Sequence, residues 1–177
     1  MKESKFNVHK MTLMAILTAG AIVIGILESL IPSIGIPGVK LGLSNIVILI
    51  VLYELGIWES IFVSLVRVLI VSLVRGTFLS MGFVMSLSGA VLSLGIMILF
   101  YLLIKKFSIV GVSVIGALFH VTGQIGVAMI YLETPYILYY LPIIALSAIV
   151  TGIIVGVSAQ LIINTKIISK QKEKYHL

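Results

Sequence analysis

Four ionisable residues lie inside long apolar runs of this sequence: Glu28, Arg67, Arg75 and His120. A charged side chain at the centre of a bilayer costs about 3 kcal/mol on an insertion scale. Such residues therefore face a bundle interior or a water-filled cavity, where they pair with each other or bind a ligand. They are the first candidates for a functional site.

The composition predicts an all-α integral membrane protein. Hydrophobic residues make up 60% of the chain and charged residues 10%, and the mean hydropathy is +1.28. A membrane-spanning helix takes about 20 apolar residues. Six spans therefore use the 177 residues and leave one membrane domain, 1–177, with short basic tails at 1–10 and 166–177. The chain has no cysteine, which excludes disulfides and thiolate metal sites.

Glycine, proline and charged residues interrupt the apolar sequence and divide it into six predicted helices. The predicted spans are 11–31, 41–55, 57–76, 80–104, 108–131 and 136–165. Lysines cluster in both tails and at Lys105-Lys106, and basic loops favour the cytoplasmic side. An even number of spans agrees with this bias, so we expect a multi-pass protein of the cell membrane with both termini in the cytoplasm.

Polar side chains on these helices are expected to converge on the outward half of the bundle. His120 and Gln124 are four residues apart, and so share one helix face. The cationic residues outnumber Glu28, which favours an outward-open pocket for a small anionic ligand. The predicted substrate-binding residues are Lys40, Asn45, Arg67, Arg75, His120 and Gln124.

Each of these residues also has a structural interpretation. Arg67 could pair with Glu28 or with helix carbonyls and hold the bundle together. Glu28 and Arg75 are expected at matching depth, which makes them a candidate ion pair, although Arg75 could instead extend to the membrane surface. His120 could be a satisfied polar residue between helices.

The sequence lacks the residues that several kinds of chemistry require. The chain has no aspartate, no phosphate-binding loop ending in Gly-Lys-Ser/Thr and no His-Glu-x-x-His helix. Prenyl diphosphate chemistry needs magnesium held by clustered carboxylates, and the glutamates here are scattered. The lysines are not interleaved with aromatic residues as on a nucleic-acid surface. We therefore predict neither an enzyme nor a metal site, and we expect no cofactor and no nucleic-acid partner.

Four segments resemble the family labelled heptaprenyl diphosphate synthase component I, also called Gx transporter proteins. They are Lys40–Asn45, the helix from Arg67 to Arg75 with Gly76-Thr77-Phe78, Ser86–Gly89 and Gly116–Gln124. That family is similar to the membrane-embedded S components of energy-coupling factor (ECF) transporters. The resemblance implies a six-helix bundle, an outward pocket, and a transmembrane T component and two ATPases as partners. It also implies docking through small residues of the first helix, which match Ala15 and Ala19.

Three functions follow, of which we favour the first. An S component would capture a small anionic solute, resembling a cofactor or a prenyl or quinone precursor, and would depend on its partners for energy. The second is a non-catalytic membrane subunit of a polyprenyl (heptaprenyl) diphosphate synthase. The third is an independent proton- or ion-coupled carrier using Glu28, Arg67 and His120, whose uneven spacing argues against a continuous relay.

Overall fold

The computed structural model describes residues 8–30, 40–104 and 107–165, and these residues form helices joined by short turns. Five helices are long and apolar enough to cross a membrane, and one is shorter. The predicted all-α membrane bundle of six helices is confirmed. The helices are α1 (Val8–Leu30), α2 (Asn45–Glu54), α3 (Ile57–Val74), α4 (Met81–Leu103), α5 (Ile109–Leu132) and α6 (Leu141–Asn164), with a 3-10 helix at Pro135–Tyr140 before α6.

Two predicted spans differ from the observed helices. The second helix begins at Asn45 rather than at residue 41, because Gly42 adopts a φ of +82° and turns the chain. The sixth is divided, because Glu133 ends α5 at a φ of 48° and a 3-10 helix precedes α6. Pro142 lies in the first turn of α6, where a missing N–H costs no hydrogen bond.

Residues 1–7 of the first basic tail, the whole second tail, residues 31–39 and Lys105-Lys106 lie outside the described residues. Which face of the bundle lies in the cytoplasm therefore stays a prediction. Each end of the bundle is called after a residue that lies there. At the Lys10 end, Lys10 of α1 forms a salt bridge with Glu59 of α3. The opposite end is the Glu28 end.

The short helix α2 lies in the middle of the bundle. Its 10 residues span about 15 Å, roughly half a bilayer core. Seven of them are buried, and α2 packs against α1, α3 and α6. Its first residues contact Arg67 in the middle of α3. The N-terminus of α2 is therefore held at mid-height inside the bundle.

Small residues let α5 and α6 pack closely. A Cβ atom added to Gly152 would lie 2.8 Å from the Cα of Val114, and one on Gly156 would lie 2.7 Å from the Cα of Val110. Ala148, Gly152 and Gly156, four residues apart on α6, thus serve packing within the chain, and Ala148 is also fully buried.

One face of α1 has no partner within the described chain. Ala15 and Ala19 lie on it and are exposed, as are the larger side chains of Ile16, Val23 and Leu27. The opposite side of α1 packs on α3 and α2 and carries buried Glu28. The helix therefore has one face toward the site and one toward the membrane.

Candidate functional site

A polar cavity lies where the N-terminus of α2 meets α1, α3, α4 and α5. Its polar walls include Glu28 of α1 and Arg67 of α3, with Lys40 and Ser44 from the turn before α2 and Ser86 and His120 from α4 and α5. The cavity is small. The centres of water molecules can occupy a volume of about 30 Å³ in this cavity. That volume leaves room for about two waters.

Glu28 binds the backbone at the start of α2. Its Oε1 accepts hydrogen bonds from the N–H groups of Gly42 and Leu43, the latter at 3.1 Å. Its Oε2 accepts from the N–H of Ser44 at 3.4 Å and from the Ser44 hydroxyl at 3.2 Å. A helix N-terminus attracts anions because its first N–H groups lack partners in the helix. The Glu28 carboxylate fills that role within the chain.

Arg67 is connected to Glu28 through a hydroxyl. Its Nη1 donates hydrogen bonds to the Ser44 hydroxyl and, at 3.3 Å, to Oδ1 of Asn45. The Ser44 hydroxyl in turn donates to Glu28, so it bridges cation and anion. Arg67 is only 4% exposed, and a charge buried so deeply is expensive unless it is paired and hydrogen-bonded. The described cavity wall holds two cationic side chains, Lys40 and Arg67, against one carboxylate.

His120 lines the cavity and carries an unsatisfied polar atom. The residue is 3% exposed, and its Nδ1 is the one buried side-chain nitrogen or oxygen without a hydrogen-bond partner among the described residues. The ring also interacts with the backbone of Gly89. A buried polar atom without a partner costs about 1–3 kcal/mol. A ligand or a water in the cavity could supply the missing hydrogen bond.

Gln124 forms hydrogen bonds with the turn before α2 and does not line the cavity. Its Oε1 accepts from the N–H of Lys40 at 2.7 Å, and its Nε2 donates to the Lys40 carbonyl at 3.2 Å. The side chain is fully buried with both ends of its amide occupied. In this conformation Gln124 positions Lys40 and does not line the polar cavity.

Asn45 is likewise occupied by neighbouring side chains. Its Oδ1 accepts from Arg67, and its Nδ2 donates to the Ser93 hydroxyl at 3.3 Å. Asn45 therefore lies behind the cavity and connects α2 with α3 and α4.

Arg75 does not line the polar cavity. It follows the last turn of α3 and is exposed, and no side-chain hydrogen bond or salt bridge holds it among the described residues. The candidate ion pair of Glu28 with Arg75 is not formed. The physical reason is that the Glu28 carboxylate already accepts four hydrogen bonds from residues 42–44, while Arg75 extends beyond the helix end.

Lys40 lies at the edge of the cavity, outside the helices, and is half-buried. Burial lowers the pKa of its ammonium below the usual 10.5, and the nearby Arg67 and Arg75 lower it further, whereas Glu28 opposes them. Because the amine loses its proton more readily than a solvated lysine, its charge depends on pH within the alkaline range.

Ser44 is the site residue that the sequence reasoning missed. It contacts both Glu28 and Arg67, and so connects the two opposite charges. The available signal was its position directly before an apolar helix, where serine is a favoured N-cap. Its observed role differs, because its hydroxyl binds side chains of other helices and makes no cap hydrogen bond.

The side chains of the cavity are of kinds that bind anions. Within the described ranges, no group of three or more His, Cys, Asp or Glu residues could hold a metal ion. The cavity instead presents two cationic groups, hydroxyls and an imidazole, which are the groups that recognise phosphates or carboxylates.

The comparisons with known proteins give one match. The family model described as heptaprenyl diphosphate synthase component I matches residues 17–162. No curated protein and no solved structure matches the chain. The matched region runs from the middle of α1 to the last turn of α6 and contains every residue of the cavity wall named above. The chain therefore belongs to the heptaprenyl diphosphate synthase component I family.

Proposed function

We propose that the protein is the substrate-binding S component of an ECF-type transporter and captures a small anionic solute from outside the cell. The observation that carries the proposal is the buried Nδ1 of His120, which lacks a hydrogen-bond partner in a residue that lines the same cavity as Arg67 and Lys40. Buried polar groups are normally satisfied, so an unsatisfied one beside two cations favours a ligand.

The charges favour an anionic ligand. The charge of Glu28 is offset by that of nearby Arg67, and its oxygens already accept four hydrogen bonds, so Lys40 supplies the excess positive charge available to a guest. Arg67 can also donate a hydrogen bond to a guest. Its two hydrogen bonds both come from Nη1, and a guanidinium carries five N–H groups. A cavity with room for about two waters takes a phosphate-sized or carboxylate-sized head. A larger ligand requires the bundle to open or the remainder of the ligand to lie elsewhere.

The unpartnered face of α1 supports an assembly with a membrane partner. Small residues let helix backbones approach closely in lipid, and Ala15 and Ala19 are exposed at a spacing of four residues. In the proposed assembly a T component docks on this face, and two ATPases supply the energy.

A binding experiment tests the site. We expect the purified protein in lipid nanodiscs to bind radiolabelled inorganic phosphate, and His120→Phe to weaken that binding about tenfold or more, since a hydrogen bond to a charged group contributes about 1.5–3 kcal/mol. Ser113→Ala is the matched control. Ser113 is buried on the same helix, lies away from the polar cavity and should leave the affinity unchanged. Equal binding by wild type and His120→Phe would exclude this site.

The family name favours a second candidate, a membrane accessory subunit of a polyprenyl diphosphate synthase. The two candidates predict different partners. Mild extraction of the chromosomally tagged protein should co-purify a T component and ATPases under the first, and a soluble aspartate-rich synthase under the second. Recovery of the synthase without ATPases would replace the first candidate by the second.

A further inference from the structure

A second opening lies along the contact between α3 and α4, toward the Lys10 end from the polar cavity. We call it the α3–α4 groove; its walls include Ile61 and Leu65 of α3 with Val91, Leu94, Gly95 and Ile98 of α4. These walls are aliphatic apart from the Ser64 hydroxyl, and Leu65 and Val91 are exposed at the bundle surface. The space that admits the centre of a water molecule is about 280 Å³ here, roughly nine times that of the polar cavity.

One layer of side chains separates this groove from the polar cavity. Val68 lines the cavity and Ala90 lines the groove, and both belong to one packed cluster with Phe83. Leu87 packs against the same cluster and is only half-buried. For the two spaces to join along the contact between α3 and α4, side chains of this cluster would have to move.

Gly95 of α4 lines the groove at the exposed bundle surface, and its missing side chain leaves the groove open. A Cβ atom added to Gly95 would meet no atom within 4 Å. A membrane bundle gains stability from van der Waals contact between helices, so an unfilled groove at its lipid-facing surface is stable only when a hydrocarbon chain lies in it. Aliphatic walls favour such a chain over any polar occupant.

We infer that the ligand is an anionic amphiphile. Its charged head binds at Lys40, Arg67 and His120, and its hydrocarbon tail passes the layer of Val68 and Ala90 into the α3–α4 groove. The sizes agree with this division, because the polar cavity holds only a head group while the groove beside it holds an apolar chain. This inference rests on the proposed function, since it uses the same anion site.

The test compares two probes that share a head group. Inorganic phosphate and decyl phosphate are titrated onto the protein in nanodiscs, with protein-free nanodiscs subtracted to remove partitioning into lipid. We expect decyl phosphate to bind at least about tenfold more tightly than phosphate, because its apolar chain is buried in the groove. Gly95→Leu fills the groove and should bring the affinity for decyl phosphate down to that for phosphate, with phosphate binding unchanged.

Gly126→Leu is the matched control. A Cβ atom at Gly126 of α5 also meets nothing within 4 Å, so the variant adds the same side chain to open space elsewhere. It should change neither affinity. Decyl phosphate that binds wild type and Gly95→Leu equally tightly would show that bulk lipid fills the groove, and would overturn the inference while the anion site stands. Failure of both probes to bind wild type would instead reject the proposed function and this inference with it.

Discussion

Glu28 is the residue that connects most parts of the site. Its carboxylate caps the start of α2 from a different helix and neutralises part of the charge of Arg67 through Ser44. An anion is favourable at this position because of the helix dipole and the unpaired N–H groups. The same carboxylate would compete electrostatically with an anionic ligand in the cavity.

Replacement of Glu28 by glutamine should therefore have two opposite effects. Stability should fall by about 1–3 kcal/mol, because the amide nitrogen of glutamine cannot accept the hydrogen bonds that one carboxylate oxygen accepts now. The affinity for inorganic phosphate should rise, because the variant removes the one carboxylate of the described cavity wall. Thermal unfolding and phosphate binding measure the two effects. Glu54→Gln, at the other end of α2, should change the affinity little; an unchanged affinity in Glu28→Gln would contradict the electrostatic argument.

The pH dependence of binding should report Lys40. Because burial lowers its pKa, the ammonium loses its charge below the usual 10.5, and phosphate binding should weaken as the pH rises toward that value. Lys40→Arg keeps its charge throughout this range and should bind phosphate with little change between pH 7.5 and 10. A wild-type affinity that is constant over the same range would show that Lys40 does not contact the anion.

Part of this site could be found from the sequence. Arg67 and His120 stand out because charged and polar residues are rare in apolar runs, and the structure places both on the wall of one cavity with Lys40. Their role in binding stays a prediction. The use of Gln124 to hold the backbone of Lys40 could not be found, because the two residues are 84 positions apart and nothing in the local pattern pairs them.

At the scale of helices, hydropathy predicts where the long spans lie because each must match the bilayer thickness. It fails for α2 and for the start of α6, where the backbone follows tertiary contacts and turn geometry. The start of α2 depends on the positive φ of Gly42 and on a carboxylate from α1, and neither is visible in local composition. The 3-10 helix before α6 follows the left-handed turn at Glu133.

The close contact of α5 with α6 gives a prediction about stability. Gly156→Ala should destabilise the protein by about 1–3 kcal/mol, because its Cβ would lie 2.7 Å from a backbone atom of α5 and the helices would have to separate. Gly126→Ala adds the same methyl group to open space and should leave stability unchanged or slightly raise it. Thermal unfolding in one detergent compares the pair. Equal transition temperatures would mean that the helices separate at no cost.

At the scale of the whole molecule, α1 is the helix least enclosed by the rest of the bundle. Its exposed Ala15 and Ala19 give a prediction for the proposed transporter. Ala15→Leu with Ala19→Leu should abolish co-purification of the T component while phosphate binding remains, because larger side chains keep the helix backbones apart. Ile16→Ala, which removes a bulky side chain from an adjacent exposed position, should retain the partner. Full recovery of the partner with the double variant would exclude this face as the docking surface.

The bond between Glu28 and the turn before α2 has a thermodynamic consequence for such an assembly. A partner that shifted α1 by a single helical turn, about 5.4 Å, would withdraw the carboxylate and leave the N–H groups of Gly42, Leu43 and Ser44 without an acceptor. Those donors would then be satisfied by the guest's own anionic oxygens. Binding of the partner and binding of the guest would consequently be linked. The factor by which the partner changes the affinity for the guest must equal the factor by which the guest changes the affinity for the partner.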